Sequence, residues 1–153
     1  MSKTTNFRFT KEGFENLKKE FDHLLKRRPQ VVTNLSNARE QGDLSENAGY
    51  HAAKDELSQI DSRIRELKYL LRVSKVVDKA EGEKVIFGSR LIVEVNGETL
   101  EYQIVEEMEA NPQLGKISTS SLIGSSLINR KAGEEITIKI PDGKVIYKII
   151  KIF

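Results

Sequence analysis

Asp43 and Glu46 are the residues best placed to do chemistry. They stand three apart in the run Gln41-Gly42-Asp43-Leu44-Ser45-Glu46-Asn47-Ala48. Carboxylates held together at a turn can ligate a hard cation such as Mg²⁺. Two are too few to hold it tightly, because Mg²⁺ prefers several more oxygens and keeps its waters. A partner or a substrate phosphate would have to supply the rest. The same pair also has a structural use. Asp43 fits the N-cap of a helix and Glu46, three residues on, its capping-box partner. Spacing alone leaves both uses open.

The other candidates are weaker. Lys26-Arg27-Arg28, with Lys18 and Lys19 behind them, could contact a phosphate backbone or could form a solvated helix face. Arg28 occupies a seam position and could instead snorkel across the hairpin to an acid on the second helix. His23 and His51 lack a partner histidine at metal-ligand spacing, and Asp55, one turn from His51, is a weak second ligand. The chain has neither a glycine-rich phosphate loop nor a nucleophile elbow. It has no cysteine, which excludes disulfides and thiolate chemistry.

Two long apolar-periodic segments must position the carboxylates. Thr10 fits the N-cap of the first. Phe14, Phe21, Arg28 and Leu35 form one row, and Leu17, Leu24, Val31 and Ala38 the other, which is a heptad seam with one charged interruption. The phase is unchanged across Pro29, so a single kinked helix from Lys11 to about Glu40 is expected, in spite of a cost of about 3 kcal/mol for an interior proline. The second segment has Tyr50, Leu57, Ile64 and Leu71 in one row and Ala53, Ile60, Leu67 and Ser74 in the other. Gly42 suits the left-handed position past a helix end. The short connection makes the helices antiparallel neighbours, with Gln41 to Glu46 at the apex and Tyr50 in the seam beside it.

The pattern changes near Val76 to Gly82, read as a linker. Beyond it, Ser89–Val95 and Leu100–Val105 alternate around Asn96-Gly97, a strong hairpin signal. Glu106–Leu114 reads as loop, Gly115–Ser118 as a short strand and Thr119–Asn129 as a short helix. Glu135–Ile140 and Val145–Ile152 alternate around Pro141-Asp142-Gly143. This half is expected to be α+β, a twisted antiparallel sheet with one helix. The domains expected are therefore a hairpin over 1–76, a linker over 77–82 and a second domain over 83–153.

Composition agrees with such a protein. Charged residues make up 31% and hydrophobic residues 38%, and the net charge is only +2. The half through Lys75 is net basic and the rest net acidic, too small a difference to imply nucleic-acid binding by itself. No apolar run approaches the roughly 20 residues of a membrane span, and the first residues lack the apolar core of a signal peptide. A soluble cytoplasmic monomer is expected.

The run Ala38 to Ala48, followed by Tyr50-His51-Ala52-Ala53-Lys54, closely resembles the signature of the bacterial GreA/GreB transcript cleavage factors. Arg27-Arg28-Pro29 and the stretch from Ile117-Ser118 to Gly124 fit that family as well. The resemblance covers nearly the whole chain. It implies a coiled-coil hairpin joined to an FKBP-like domain, without prolyl isomerase activity. The second domain would dock on RNA polymerase at the rim of the secondary channel, with Ser118, Ser121, Leu122 and Gly124 as docking residues. The hairpin would enter the channel. Asp43 and Glu46 would help hold a second Mg²⁺ and orient water, so that the polymerase hydrolyses the 3′ RNA of a backtracked complex. No Mg²⁺ is expected on the factor alone, which is not itself an enzyme. Lys26, Arg27, Arg28 and Arg39 would be the residues to contact RNA.

Three departures from the family pattern stand out. Gly49 replaces a usual Glu, Leu122 a usual Pro, and Asn129-Arg130 a usual Gly-Lys. One alternative is a relative that enters the channel and inhibits polymerase without cleavage. Another is an interaction module unrelated to polymerase, with a purely structural hairpin.

Overall fold

A computed structural model describes residues 7–42, 46–77 and 82–153. The chain divides into two compact units, Phe14–Ser74 and a second that combines Met1–Gly13 with Lys75–Phe153.

The first unit holds the expected pair of helices but is shorter than the 1–76 read for it, because β-pairing and the first turn of the leading helix fall in the second unit. Helix α1 spans Lys11–Arg39 and runs continuously through Pro29. Helix α2 spans Ala48–Val73. Val31, Ile60 and Ile64 are buried between them, with Phe21, Leu24 and Leu57 packed alongside. Burying each such side chain contributes roughly 1.5–3 kcal/mol, so apolar contact rather than helix propensity holds the pair together. Ala38 and Ala53, both buried, are the small residues of the seam near the apex.

Charge pairs lace the margins of that seam. Arg28 donates to Asp61 at 2.6 Å, which is the snorkelling alternative among the readings open for it. Arg27 donates to Glu56 at 2.9 Å. Arg63 forks onto Glu20 at 2.6 and 2.9 Å and also meets Glu66 at 2.9 Å. The three pairs that cross between the helices, Arg28–Asp61, Arg27–Glu56 and Arg63–Glu20, favour one antiparallel register where apolar rows alone would tolerate sliding.

In the second unit, strand β1 (Arg8–Thr10) pairs in parallel with β2 (Lys75–Val77). Neither strand was expected. Each is only three residues long, too short for a periodic signal, and the stretch read as linker therefore begins with a strand. A five-stranded sheet follows, built from β3 (Arg90–Val95), β4 (Glu98–Val105), β5 (Lys116–Ser118), β6 (Glu135–Ile140) and β7 (Gly143–Ile152). The spatial order is β5-β4-β3-β7-β6. Asn96 and Gly97, with φ of 52° and 80°, make the tight turn between β3 and β4. Leu91, Val93, Ile136, Ile138, Tyr147 and Ile149 alternate inward onto Ile104, Ile117 and Leu127.

Two expectations for this unit need correction. The sheet is mixed, because β5 runs parallel to β4. The helix is also shorter than read: α3 covers only Leu122–Leu127. Thr119 to Ser121 are taken up by a hydrogen-bonded turn, and Asn129 leaves the helical region with φ of 67°. Among the described residues no helix is long and apolar enough to cross a membrane.

The hydrogen bond from Arg63 holds the Glu20 carboxyl below the ordinary value of 4.5; partial burial opposes this and the guanidinium charge adds to it. A depressed folded pKa gives stability that is present above the unfolded value and lost as pH falls through the folded one. The thermal midpoint should therefore drop on acidification from about pH 5 to about pH 3. Arg63→Met should make that drop smaller, and an equal drop in both proteins would exclude this coupling.

Candidate functional site

The apex is built by a side chain that the sequence reading passed over. α1 ends at Arg39, and Gln41 N–H donates back to Ala38 O at 3.2 Å. Gly42 follows with φ of +117°, a conformation that favours glycine. α2 then begins at Ala48, with Asn47 as its N-cap. Asn47 Oδ1 accepts from Tyr50 N–H at 3.0 Å, while its Nδ2 donates to Ala38 O at 2.7 Å. One amide thus caps the second helix and holds the end of the first.

This corrects the expected capping box. Glu46 precedes the cap rather than occupying the third helical position, and the first turn of α2 carries no acid. Asn is as good a cap as Asp, and it also has a donor that a carboxylate lacks. Only that donor can reach a carbonyl on the opposing helix. The signal was present in the sequence, since Asn47 stands just before the periodic segment. Asp43-x-x-Glu46 simply matched a better-known pattern. Asp43 lies outside the described residues. Glu46 is exposed.

Around the cap, the half-buried Tyr50 ring meets Arg39 at 5.9 Å, Lys54 at 6.0 Å and the His51 ring edge-on at 5.4 Å. Arg39 is thereby placed at the apex. Lys26 is exposed, whereas Arg27 and Arg28 spend their guanidinium groups on Glu56 and Asp61. Gly49 sits in the first turn of α2, where an added Cβ would lie 3.4 Å from Asn47 Oδ1, an ordinary contact. Among the described residues no group of three or more His, Cys, Asp or Glu side chains could hold a metal by itself.

Ser118, Ser121, Leu122 and Gly124 come together at the entry to α3. Ser121 Oγ donates to Ser118 O at 2.7 Å and accepts from Gly124 N–H at 3.0 Å. A Cβ on Gly124 would fall 1.8 Å from Ser118 O, so only glycine lets the helix lie against this turn. Leu122 is 58% exposed beside it. Asn129 has its physical reason in its positive φ, which asparagine tolerates better than other side chains after glycine.

Comparison with known proteins agrees over both halves. The family model described as transcription elongation factor, N-terminal, matches residues 7–76, and that described as transcription elongation factor, GreA/GreB, C-term, matches 79–153. The chain belongs to the GreA/GreB family of transcription elongation factors. It is 41% identical over 148 residues to transcription elongation factor GreA of Nitratiruptor sp., covering 94% of this chain and 91% of that one. It is 42% identical over 154 residues to GreA of Verminephrobacter eiseniae, covering 97% and 98%. Among solved structures, the GreA factor homolog 1 of Thermus thermophilus is similar at 28% identity and a TM-score of 0.45, covering 97% of this chain and 99% of that one.

Asn47→Ala should cost about 1 kcal/mol, within the range of roughly 0.5–2 for a lost N-cap, in the urea or thermal unfolding of the chain. Asn47→Asp should fall between it and the unaltered protein, keeping the cap and losing the donor to Ala38. Gly124→Ala should cost at least about 1–3 kcal/mol, as for an overpacked site, because the obstructing atom is backbone. An alanine variant of unchanged midpoint would refute that close approach.

Proposed function

We propose that this elongation factor binds RNA polymerase, enters its secondary channel with the hairpin apex first, and stimulates the polymerase to cleave the 3′ RNA of backtracked complexes. The observation that carries the reading is the Asn47 cap. α2 needs no carboxylate to begin, so Asp43 and Glu46 are not required for capping it, and Glu46 stands exposed before the helix. Oxygen donors of this kind suit Mg²⁺, and the two acids would supply part of its shell while the polymerase and the RNA phosphate complete it. A second Mg²⁺ held there would stabilise charge on the attacking and leaving oxygens of a phosphoryl displacement.

This chain's own part is delivery and orientation. Glu46 and Asp43 would fix the ion and accept a hydrogen bond from the attacking water. The seam and its ion pairs keep the apex from fraying. Ser118, Ser121, Leu122 and Gly124 would form part of the docking face, with Leu122 as the apolar contact. Lys26 and Arg39 remain the cations best placed to meet RNA. The factor acts as a cytoplasmic monomer and hydrolyses nothing alone.

The test is Asp43→Asn combined with Glu46→Gln, assayed on stalled elongation complexes. Helicity and polymerase binding should be unchanged, because Asn47 keeps the cap. Cleavage should fall by at least about 100-fold, corresponding to about 2.7 kcal/mol of lost transition-state stabilisation. Cleavage at the unaltered rate would make the acids structural only. An unaltered factor that binds polymerase and stimulates no cleavage would be an inhibitor instead.

A further inference from the structure

The start of α1 contains half of a capping box. Thr10 Oγ1 accepts from Gly13 N–H at 3.1 Å, as an N-cap threonine does with the third helical residue. In a complete box that third residue is Glu or Gln, and its side chain reaches back to the N-cap N–H. Here the residue is glycine. The missing carboxylate comes from Glu109, at the end of a short 3-10 turn before β5. Its Oε1 accepts from Thr10 N–H at 3.0 Å and its Oε2 from Thr10 Oγ1 at 2.6 Å. A Cβ built on Gly13 would lie 2.2 Å from Glu109 Oε1, and all three of its nearest neighbours are atoms of that carboxylate. Glu109 therefore occupies the space that the third-position side chain would fill.

The contact is well enclosed. The Glu109 side chain is 5% exposed and lies 3.9 Å from Lys116 Nζ on β5, which offsets its charge. Three residues earlier, Glu106 pairs with Arg8, whose guanidinium lies 4.5 Å over the Phe87 ring, and Glu106 also accepts from Thr119 at 3.1 Å. Two acids of one segment thus grip the residues that lead into α1. Residues 11–13 belong to the compact unit of the sheet, yet the same helix continues unbroken to Arg39. A capping carboxylate supplied in cis would stabilise the helix equally well. Supplied by Glu109, it also ties the first turn of α1 to the segment that leads into β5, within one compact unit.

We propose that Glu109 is a positioning residue, completing the capping box of α1 from outside the helix and so holding the root of the hairpin for productive delivery of its apex. The effect on cleavage rests on the function proposed above, whereas the tie itself does not. Misplacing a reacting group by about 1 Å can cost on the order of 100-fold in rate. In Glu109→Ala the maximal cleavage rate should fall at least about tenfold, while the half-saturating factor concentration stays within about twofold.

The decisive variant adds Gly13→Glu to Glu109→Ala, which restores the box in cis in the space vacated. The chain has no cysteine, so spin labels can be placed singly through Ser58→Cys and Lys144→Cys in each background. Glu109→Ala should lower the thermal midpoint and broaden the distance distribution between the labels. The double variant should recover the midpoint while the distribution stays broad and cleavage stays low. If narrow distances and full cleavage return with the midpoint, Glu109 is only a helix cap and the proposal falls. It also falls if the unaltered protein is as broad as Glu109→Ala. If the distances behave as expected but the unaltered factor stimulates no cleavage, the tie stands and the proposed function fails.

Discussion

The amide of Asn47 satisfies two helix ends at once, and the closure of the hairpin at its apex depends on it. A helix that starts at a sharp turn needs an acceptor for its first N–H groups, and acids are favoured there by the macrodipole. Asp or Glu in that role would have its oxygens directed at the backbone. A neutral cap at Asn47, which also donates to Ala38 O, secures the turn without spending charge. Glu46, just before the cap, is left exposed.

The rest of the hairpin supports that arrangement. Apolar rows centred on Val31, Ile60 and Ile64 supply most of the attraction but little register. Arg28–Asp61, Arg27–Glu56 and Arg63–Glu20 supply register, each with a geometry that a slipped pair would lose. Such half-exposed pairs are individually weak, with a median near 0–1 kcal/mol. Their value here is in specifying one alignment. That division of labour explains how cations beside a seam can be structural even though their composition suggests nucleic-acid contact.

Much of this was legible from spacing. Both long helices followed from three-and-four periodicity, and the β3–β4 hairpin from Asn96-Gly97, because each signal is repeated or local. The Thr10 cap also followed from position, whereas position left the reach of Arg28 open among three readings. The misses share a physical cause. Strands β1 and β2 are too short to show alternation, and their pairing joins residues far apart in the chain. The parallel setting of β5 is likewise a matter of topology, which local pattern does not encode. At the apex the cap is Asn47, four residues beyond the Asp43 that was read as the cap, and its second bond, to Ala38 O, depends on the opposing helix, which local pattern does not encode. Glu109 was invisible for the same reason: the carboxylate that completes the Thr10 box stands 96 residues downstream of Gly13.

The parallel pairing of Arg8 with Lys75 and Phe9 with Val76 has an evolutionary consequence. It makes residues 14–74 an insert between two adjoining strands of one host fold. The sheet, with both chain ends of the insert anchored on it, is indifferent to how long the excursion is. Adding or deleting seven residues in each helix together would alter the reach of the apex and leave the host fold untouched. The helix pair can therefore change length through paired sequence changes alone.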